Sequence, residues 1–134
     1  MNYVLSHVDL RVRDRARAIA FYDAILEPLG LVKSESESWV TYAPAADIGQ
    51  EDDGFWFGFT VDPEMVPGST RVAFAAESCD QVDDVTTVAM NAGARNIEGP
   101  DYDYGPEYYA VFFEDPDGNQ LEVCCYGPRA RAAS

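Results

Sequence analysis

A chain of 134 residues with 47% hydrophobic and 13% aromatic side chains has apolar surface enough for one compact domain and too much for a disordered one. Its 24 acidic against 9 basic residues give a net charge of -15, which repels phosphate backbones and argues against nucleic acid as a partner, while it attracts cations and aids solubility. No apolar run reaches the roughly 18 residues that cross a bilayer, and Met1 to Leu10 lacks a basic-then-apolar leader, so the expectation is a cytoplasmic protein with no membrane partner.

Val4 to Val12 alternates apolar and polar residues and predicts a strand. Asp14 suits the N-cap of a helix whose stripe is Ala18, Phe21, Tyr22, Ile25, Leu26 and Leu29, ended by Pro28 and Gly30. Two short strands follow at 31–35 and 38–42, then an acidic loop from Pro44 to Gly54. Phe55, Phe57, Phe59 and Val61 alternate along another strand. Asp62 to Ser69, with Pro63, Pro67 and Gly68, reads as a linker.

The order then repeats. Thr70 to Ala76 predicts a strand, and Ser78 with Gln81 resembles a capping box. A helix with Val82, Val85, Val88 and Ala89 as its stripe ends near Gly93. Strands are expected at 95–99, 108–114 and 119–126, with an Asp115-Pro116-Asp117-Gly118 turn between the last two. His7 and Arg71, Asp14 and Ser78, and Gly54 and Gly118 are each 64 positions apart, a register that two unrelated segments would not keep. Module one thus spans about 3–61, the linker 62–69, module two about 70–126 and a flexible tail 127–134.

Some residues invite chemistry on their own terms. His7 is the one histidine, of a type that serves as ligand or general base near neutral pH. Tyr102, Tyr104, Tyr108 and Tyr109 cluster before the last turn, either as ordinary packing or as a ligand-stacking wall in which Tyr102 and Tyr109 are taken as substrate-binding. Trp56 is expected to form the opposite wall. Cys79, Cys124 and Cys125 contain no C-x-x-C spacing and are expected as free thiols, Cys124 inward-facing and inert.

The run His7-Val8-Asp9-Leu10-Arg11-Val12-Arg13-Asp14 followed by Arg17-Ala18-Ile19-Ala20-Phe21-Tyr22, the strand Arg71-Val72-Ala73-Phe74, and above all Phe113-Glu114-Asp115-Pro116-Asp117-Gly118-Asn119-Gln120-Leu121-Glu122 resemble the vicinal oxygen chelate superfamily of glyoxalases, bleomycin resistance proteins and extradiol dioxygenases. The resemblance runs from about Tyr3 to Tyr126 and is that of a small glyoxalase-like member. It implies an α+β fold in which two βαβββ modules form an incomplete, curved mixed β-barrel with helices packed outside. It also implies a homodimer that holds a small-molecule ligand, and an enzyme of the lyase, isomerase or dioxygenase type. The alternative within the family is a non-catalytic protein that sequesters its ligand.

Metal-using members take ligands from the first and last strands of each module. The matching positions here are His7, Gly58, Arg71 and Glu122. The resemblance therefore implies His7 and Glu122 as catalytic groups and as ligands of a divalent metal (Fe, Mn, Ni or Zn). Arg71 opposes that metal, because a guanidinium has no lone pair to give. A divalent ion about 5 Å from it would feel roughly 6–7 kcal/mol of repulsion at an effective dielectric of ~20. Three outcomes stay open: a metal site kept by a rotated Arg71 with Asp9 or a tyrosine recruited, Arg71 binding substrate in the metal's place, or a forked structural pair of Arg71 with Glu122. Gly58 is expected to leave space.

Overall fold

In the computed structural model, which describes residues 4–45 and 54–130, the elements follow the expected order twice. The first set is β1 (His7–Val12), α1 (Arg15–Leu26), β2 (Leu31–Glu35), β3 (Val40–Pro44) and β4 (Trp56–Val61). The second is β5 (Arg71–Ala75), α2 (Cys79–Ala92), β6 (Arg95–Asp101), β7 (Tyr108–Glu114) and β8 (Gln120–Tyr126). The chain divides into two units, Met1–Val66 and Pro67–Ser134, and the division falls inside the segment read as a linker. Most of the acidic loop, residues 46–53, lies outside the described residues.

Each unit is a four-stranded mixed sheet that does not close on itself, ordered β1-β4-β3-β2 in one and β5-β8-β7-β6 in the other. The fold is α+β. The first and last strands of each unit pair in parallel, in matched register: Val8 faces Phe57, and Val72 faces Leu121. The 64-residue offset lapses at the third strand. Val40 pairs with Phe59 while Val111 pairs with Val123, so β7 stands seven residues further along than the offset requires.

Caps and stripes explain the helices. The Asp14 carboxylate accepts the Arg17 N–H at 2.8 Å, and the Ser78 hydroxyl accepts the Gln81 N–H at 3.1 Å. The Gln81 side chain reaches back one residue beyond a standard capping box, to the Glu77 N–H at 2.8 Å. Gly93 closes α2 in the left-handed conformation, φ 102°. Phe21, Tyr22, Ile25 and Leu26 of α1 are buried, and the Tyr22 ring lies 5.2 Å from Phe57 and 5.3 Å from Phe59. In the second unit Val82, Val85 and Ala89 of α2 are buried along with Val111, Phe113, Leu121 and Val123 of the sheet. Such side chains contribute about 1.5–3 kcal/mol each on burial. In both units the helix covers one sheet face and leaves the other free of helix.

The tail departs from expectation. Gly127–Ala130 forms a short 3-10 helix with Ala130 fully buried. The Ala130 carbonyl accepts hydrogen bonds from the Tyr102 hydroxyl at 2.7 Å and the Cys79 thiol at 3.2 Å, which anchor it. Nothing in the small-residue composition of the tail signals those two distant donors.

Candidate active site

The β7–β8 turn aligns the second unit's open face. The buried Asp115 carboxylate accepts the N–H groups of Asp117 and Asn119, both at 2.9 Å, and the Asn119 side-chain amide at 2.8 Å. That turn closes the Glu114–Gln120 pair, and the ladder then sets Phe112 opposite Glu122, Ala110 opposite Cys124 and Tyr108 opposite Tyr126. On the other flank Arg71 faces Gln120 and Ala73 faces Glu122. Side chains alternate along a strand, so Arg71, Tyr108, Phe112, Glu122 and Cys124 share the face turned away from α2.

Glu122 is only 7% exposed. Its carboxylate accepts a short hydrogen bond from the Tyr108 hydroxyl, the one side-chain donor on it among the described residues. A carboxylate offers about four acceptor positions. Glu122 is therefore a buried charge with acceptor capacity to spare, an arrangement more common in sites than in cores. Burial, and then the bond to Glu122, push the Tyr108 phenol well above its ordinary range, so it stays a donor. Burial likewise pushes up the Cys124 thiol, which fits the inert thiol expected from the sequence.

Arg71 is on Glu122's face, as strand parity implied, but it does not form the forked pair. Its Nη2 donates to Gln120 Oε1 at 3.2 Å, and its guanidinium lies 4.8 Å over the Phe112 ring. Gln120 is its direct partner in the parallel ladder, one pair short of Glu122.

Tyr102 and Tyr109 do not join this group. Tyr109 is on the helix side of β7 and donates to Asp83 of α2 at 2.6 Å, with Tyr102 against it at 4.7 Å between ring centroids. The Tyr102 phenol is pushed up to about 12, chiefly by its hydrogen bond with Cys79. The tyrosine beside Glu122 is Tyr108. Counting back from the Asp115–Asn119 turn pairs Phe112 with Glu122 and gives even-numbered residues that face, so the signal was present in strand parity.

On the first unit, His7 faces Trp56 in the β1–β4 ladder, and the rings stack with centroids 4.3 Å apart and planes 2° from parallel. His7 Nδ1 lies 3.0 Å from the Ser6 hydroxyl, and Nε2 lies 3.6 Å from Asp9 Oδ2. Asp9 also holds Arg11 at 2.5 Å, and Arg11 lies 5.7 Å over Trp39, which meets Trp56 edge-on. Gly58 does not leave open space. A Cβ there would come within 2.8 Å of the Trp56 ring and 2.7 Å of the Val40 carbonyl oxygen. The indole occupies the place that a side chain at 58 would need.

A divalent metal is tested by this donor set. Of the four matching positions, Gly58 has no side chain and Arg71 has no lone pair. Within either unit no three His, Cys, Asp or Glu residues gather to hold an ion, among the described residues. Only His7 and Glu122 of the four can donate to an ion, and they stand on different units, so neither unit by itself holds a metal centre among the described residues.

The sequence model of the Glyoxalase/Bleomycin resistance protein/Dioxygenase superfamily matches residues 4–123. Among curated proteins, the metallothiol transferase FosB of Shouchella clausii is 28% identical over 124 residues, covering 89% of this chain and 77% of that protein. Among solved structures, a glyoxalase/bleomycin resistance protein from Albidiferax ferrireducens superposes with a TM-score of 0.78 and 25% identity, covering 93% of this chain and all of that one (100%). A variant of the fosfomycin resistance protein FosX from Listeria monocytogenes, solved with Mn(II), gives a TM-score of 0.69 at 20% identity over 99% of this chain and 98% of that one, a likeness of fold alone.

Proposed function

Because the chain belongs to the glyoxalase/bleomycin resistance protein/dioxygenase superfamily, we propose that it is an enzyme acting on a small organic substrate at the open face of its second unit, with Glu122 as acid–base group and Arg71 as the electrophile where relatives place a metal. The observation that carries this reading is the buried Glu122 carboxylate, held by Tyr108 as its one side-chain donor among the described residues, on the face that also presents Arg71.

The chemistry follows from those groups. Glu122 removes a proton from the carbon beside a substrate carbonyl. The electron pair moves into the carbonyl, and the Arg71 guanidinium meets the charge that develops on oxygen. Tyr108 keeps the carboxylate aimed, and Glu122 returns the proton to a neighbouring atom. In the first unit, taken by itself, His7 is proposed as an acid–base group and Trp56, on which its ring stacks, as an aromatic contact for a ligand. Tyr102 and Tyr109, turned to the helix side, support the sheet rather than the ligand. A homodimer is part of the same reading, and sedimentation velocity measures it.

Proton exchange in heavy water tests the proposal, with dihydroxyacetone and the hemithioacetal of methylglyoxal with a small thiol as probes. Catalysed exchange at the carbon beside the carbonyl should fall by about 10²–10⁴ in Glu122→Gln and by about 10²–10³ in Arg71→Ala. Probes that bind but exchange no faster than in buffer would overturn it. Sequestration is the second reading, favoured by the stacked His7–Trp56 surface beside Asp9 in a chain of net charge -15. It would show as tight binding of organic cations without exchange.

A further inference from the structure

The open face of the second unit carries more than Glu122. The Arg71 guanidinium lies 4.8 Å over Phe112. Tyr104 meets Phe112 at 5.7 Å and Tyr108 at 6.1 Å, edge to face. Tyr126 stacks on Tyr108 at 6.3 Å and 17°, and the Arg129 guanidinium lies 5.7 Å over Tyr126. The result is one continuous aromatic strip with an arginine at each end.

The arginines are unusual for this chain. Arg11, Arg15, Lys33 and Arg95 all rest on carboxylates, those of Asp9, Glu35, Asp23 and Glu114. Arg71 and Arg129 rest on rings, and neither has a carboxylate partner among the described residues. Both guanidinium groups are exposed and, among the described residues, stand without a carboxylate in a strongly acidic chain. A ring holds a guanidinium in place without neutralising it, so its edge donors stay available for a forked pair with an oxyanion. Between them lies the Glu122 charge, mostly buried beneath Tyr108. The strip thus reads positive, negative, positive along its length. Gln120 to Tyr126 spans about 20 Å at ~3.3 Å per residue.

We infer that this strip binds an elongated dianion with a flat, unsaturated body, one anionic group on Arg71, the other on Arg129, and an uncharged middle stacked on Tyr108 and Tyr126. The inference rests on the reading that this face takes the ligand, and not on the reaction performed there. It gives Arg129 and the anchored 3-10 helix a specificity role. The 3-10 helix carries one end of the site, and the Ala130 carbonyl pins it to Tyr102 and Cys79.

Isothermal titration of the full chain with rigid aromatic acids tests it. The probes are biphenyl-4-carboxylate, biphenyl-4,4′-dicarboxylate and p-terphenyl-4,4″-dicarboxylate. One of the two dicarboxylates should bind at least about tenfold more tightly than the monoacid, the scale of one charge-assisted forked pair. Arg129→Gln should remove that preference by bringing the dicarboxylate down to the affinity of the monoacid, and Glu122→Gln, which removes the negative charge between the two arginines, should strengthen dianion binding. Equal binding of mono- and dicarboxylates, no binding of either, or a preference that survives Arg129→Gln would overturn the inference. If the variant does not fold, salt decides in the unaltered chain. The preference should shrink as ionic strength rises, and a salt-independent preference counts against it. Dianion binding without proton exchange would leave this inference standing and remove the enzymatic reading. Exchange without dianion preference would do the reverse.

Discussion

Tyr108 and Glu122 sit on adjacent antiparallel strands of the second unit, and the phenol of the first is the side-chain donor to the carboxylate of the second. Tyr108→Phe removes that donor and leaves a buried charge without it. Stability should fall by about 1–3 kcal/mol, the cost of an unsatisfied buried polar group. Urea denaturation measures it. Adding Glu122→Gln in the same background should recover part of the loss, because a neutral amide is cheaper to bury. A double variant whose loss equals the sum of the two single losses would show that the two residues are not a unit.

Gly58 is fixed by its surroundings rather than by its backbone angles. Gly58→Ala should cost about 1–3 kcal/mol, as overpacking does. Trp56→Ala in the same chain should relieve only part of this, because the Val40 carbonyl remains 2.7 Å from the added Cβ. Thermal unfolding of the single and double variants separates the two contributions.

Alkaline pH should expose the buried phenols. Tyr42 is fully buried and donates to Asp23 at 2.8 Å, with Lys33 on the other carboxylate oxygen at 2.8 Å. Burial, and then the bond to Asp23, hold its proton well above the ordinary 10.0. In the unfolded chain the phenol ionises near 10, so above that pH the unfolded state carries fewer protons than the folded one. Stability is then full below about pH 10 and falls as pH rises, by up to about 1.4 kcal/mol per pH unit for one group. Tyr42→Phe should reduce the slope between pH 10 and 12 by about that much. An unchanged slope would mean that the native phenol ionises with the unfolded one.

Arg71→His asks whether the arginine stands where an ion would. The substitution replaces a group without a lone pair by an imidazole. Purified Arg71→His protein should hold more Fe, Mn, Ni or Zn per chain than the unaltered protein, and elemental analysis measures the difference. Equal content in both would remove Arg71 as the cause of a missing metal site.

The fold was legible because its signals are local and repeated. Caps at Asp14 and Ser78, alternation at Phe55–Val61 and the Asp115–Gly118 turn each act within a few residues, and their common offset reinforces them. The site was legible only in part. Parity put Arg71 and Glu122 on one face, since a strand fixes side-chain direction. It did not reveal partners, because Arg71's preference for Gln120 and Phe112 depends on cross-strand register. A tyrosine-rich stretch suggests a shared wall for Tyr102, Tyr104, Tyr108 and Tyr109, whereas the odd number of Tyr109 on β7 sends it to Asp83. The Ala130 anchor joins positions 28 and 51 residues apart in sequence, beyond the reach of any local pattern.

The four matched positions divide unevenly between the two halves. One half has histidine on its first strand and glycine on its last, while the other has arginine on its first and glutamate on its last. Two copies of the first half would supply two histidines and no glutamate, and two copies of the second would supply two glutamates and two arginines. The two halves carry complementary sets at these positions, and neither can stand in for the other. With the indole packed where a side chain at 58 would grow, a glutamate there would first require the indole and the Val40 carbonyl to give way, so the first half cannot gain an acid at this position by one substitution alone.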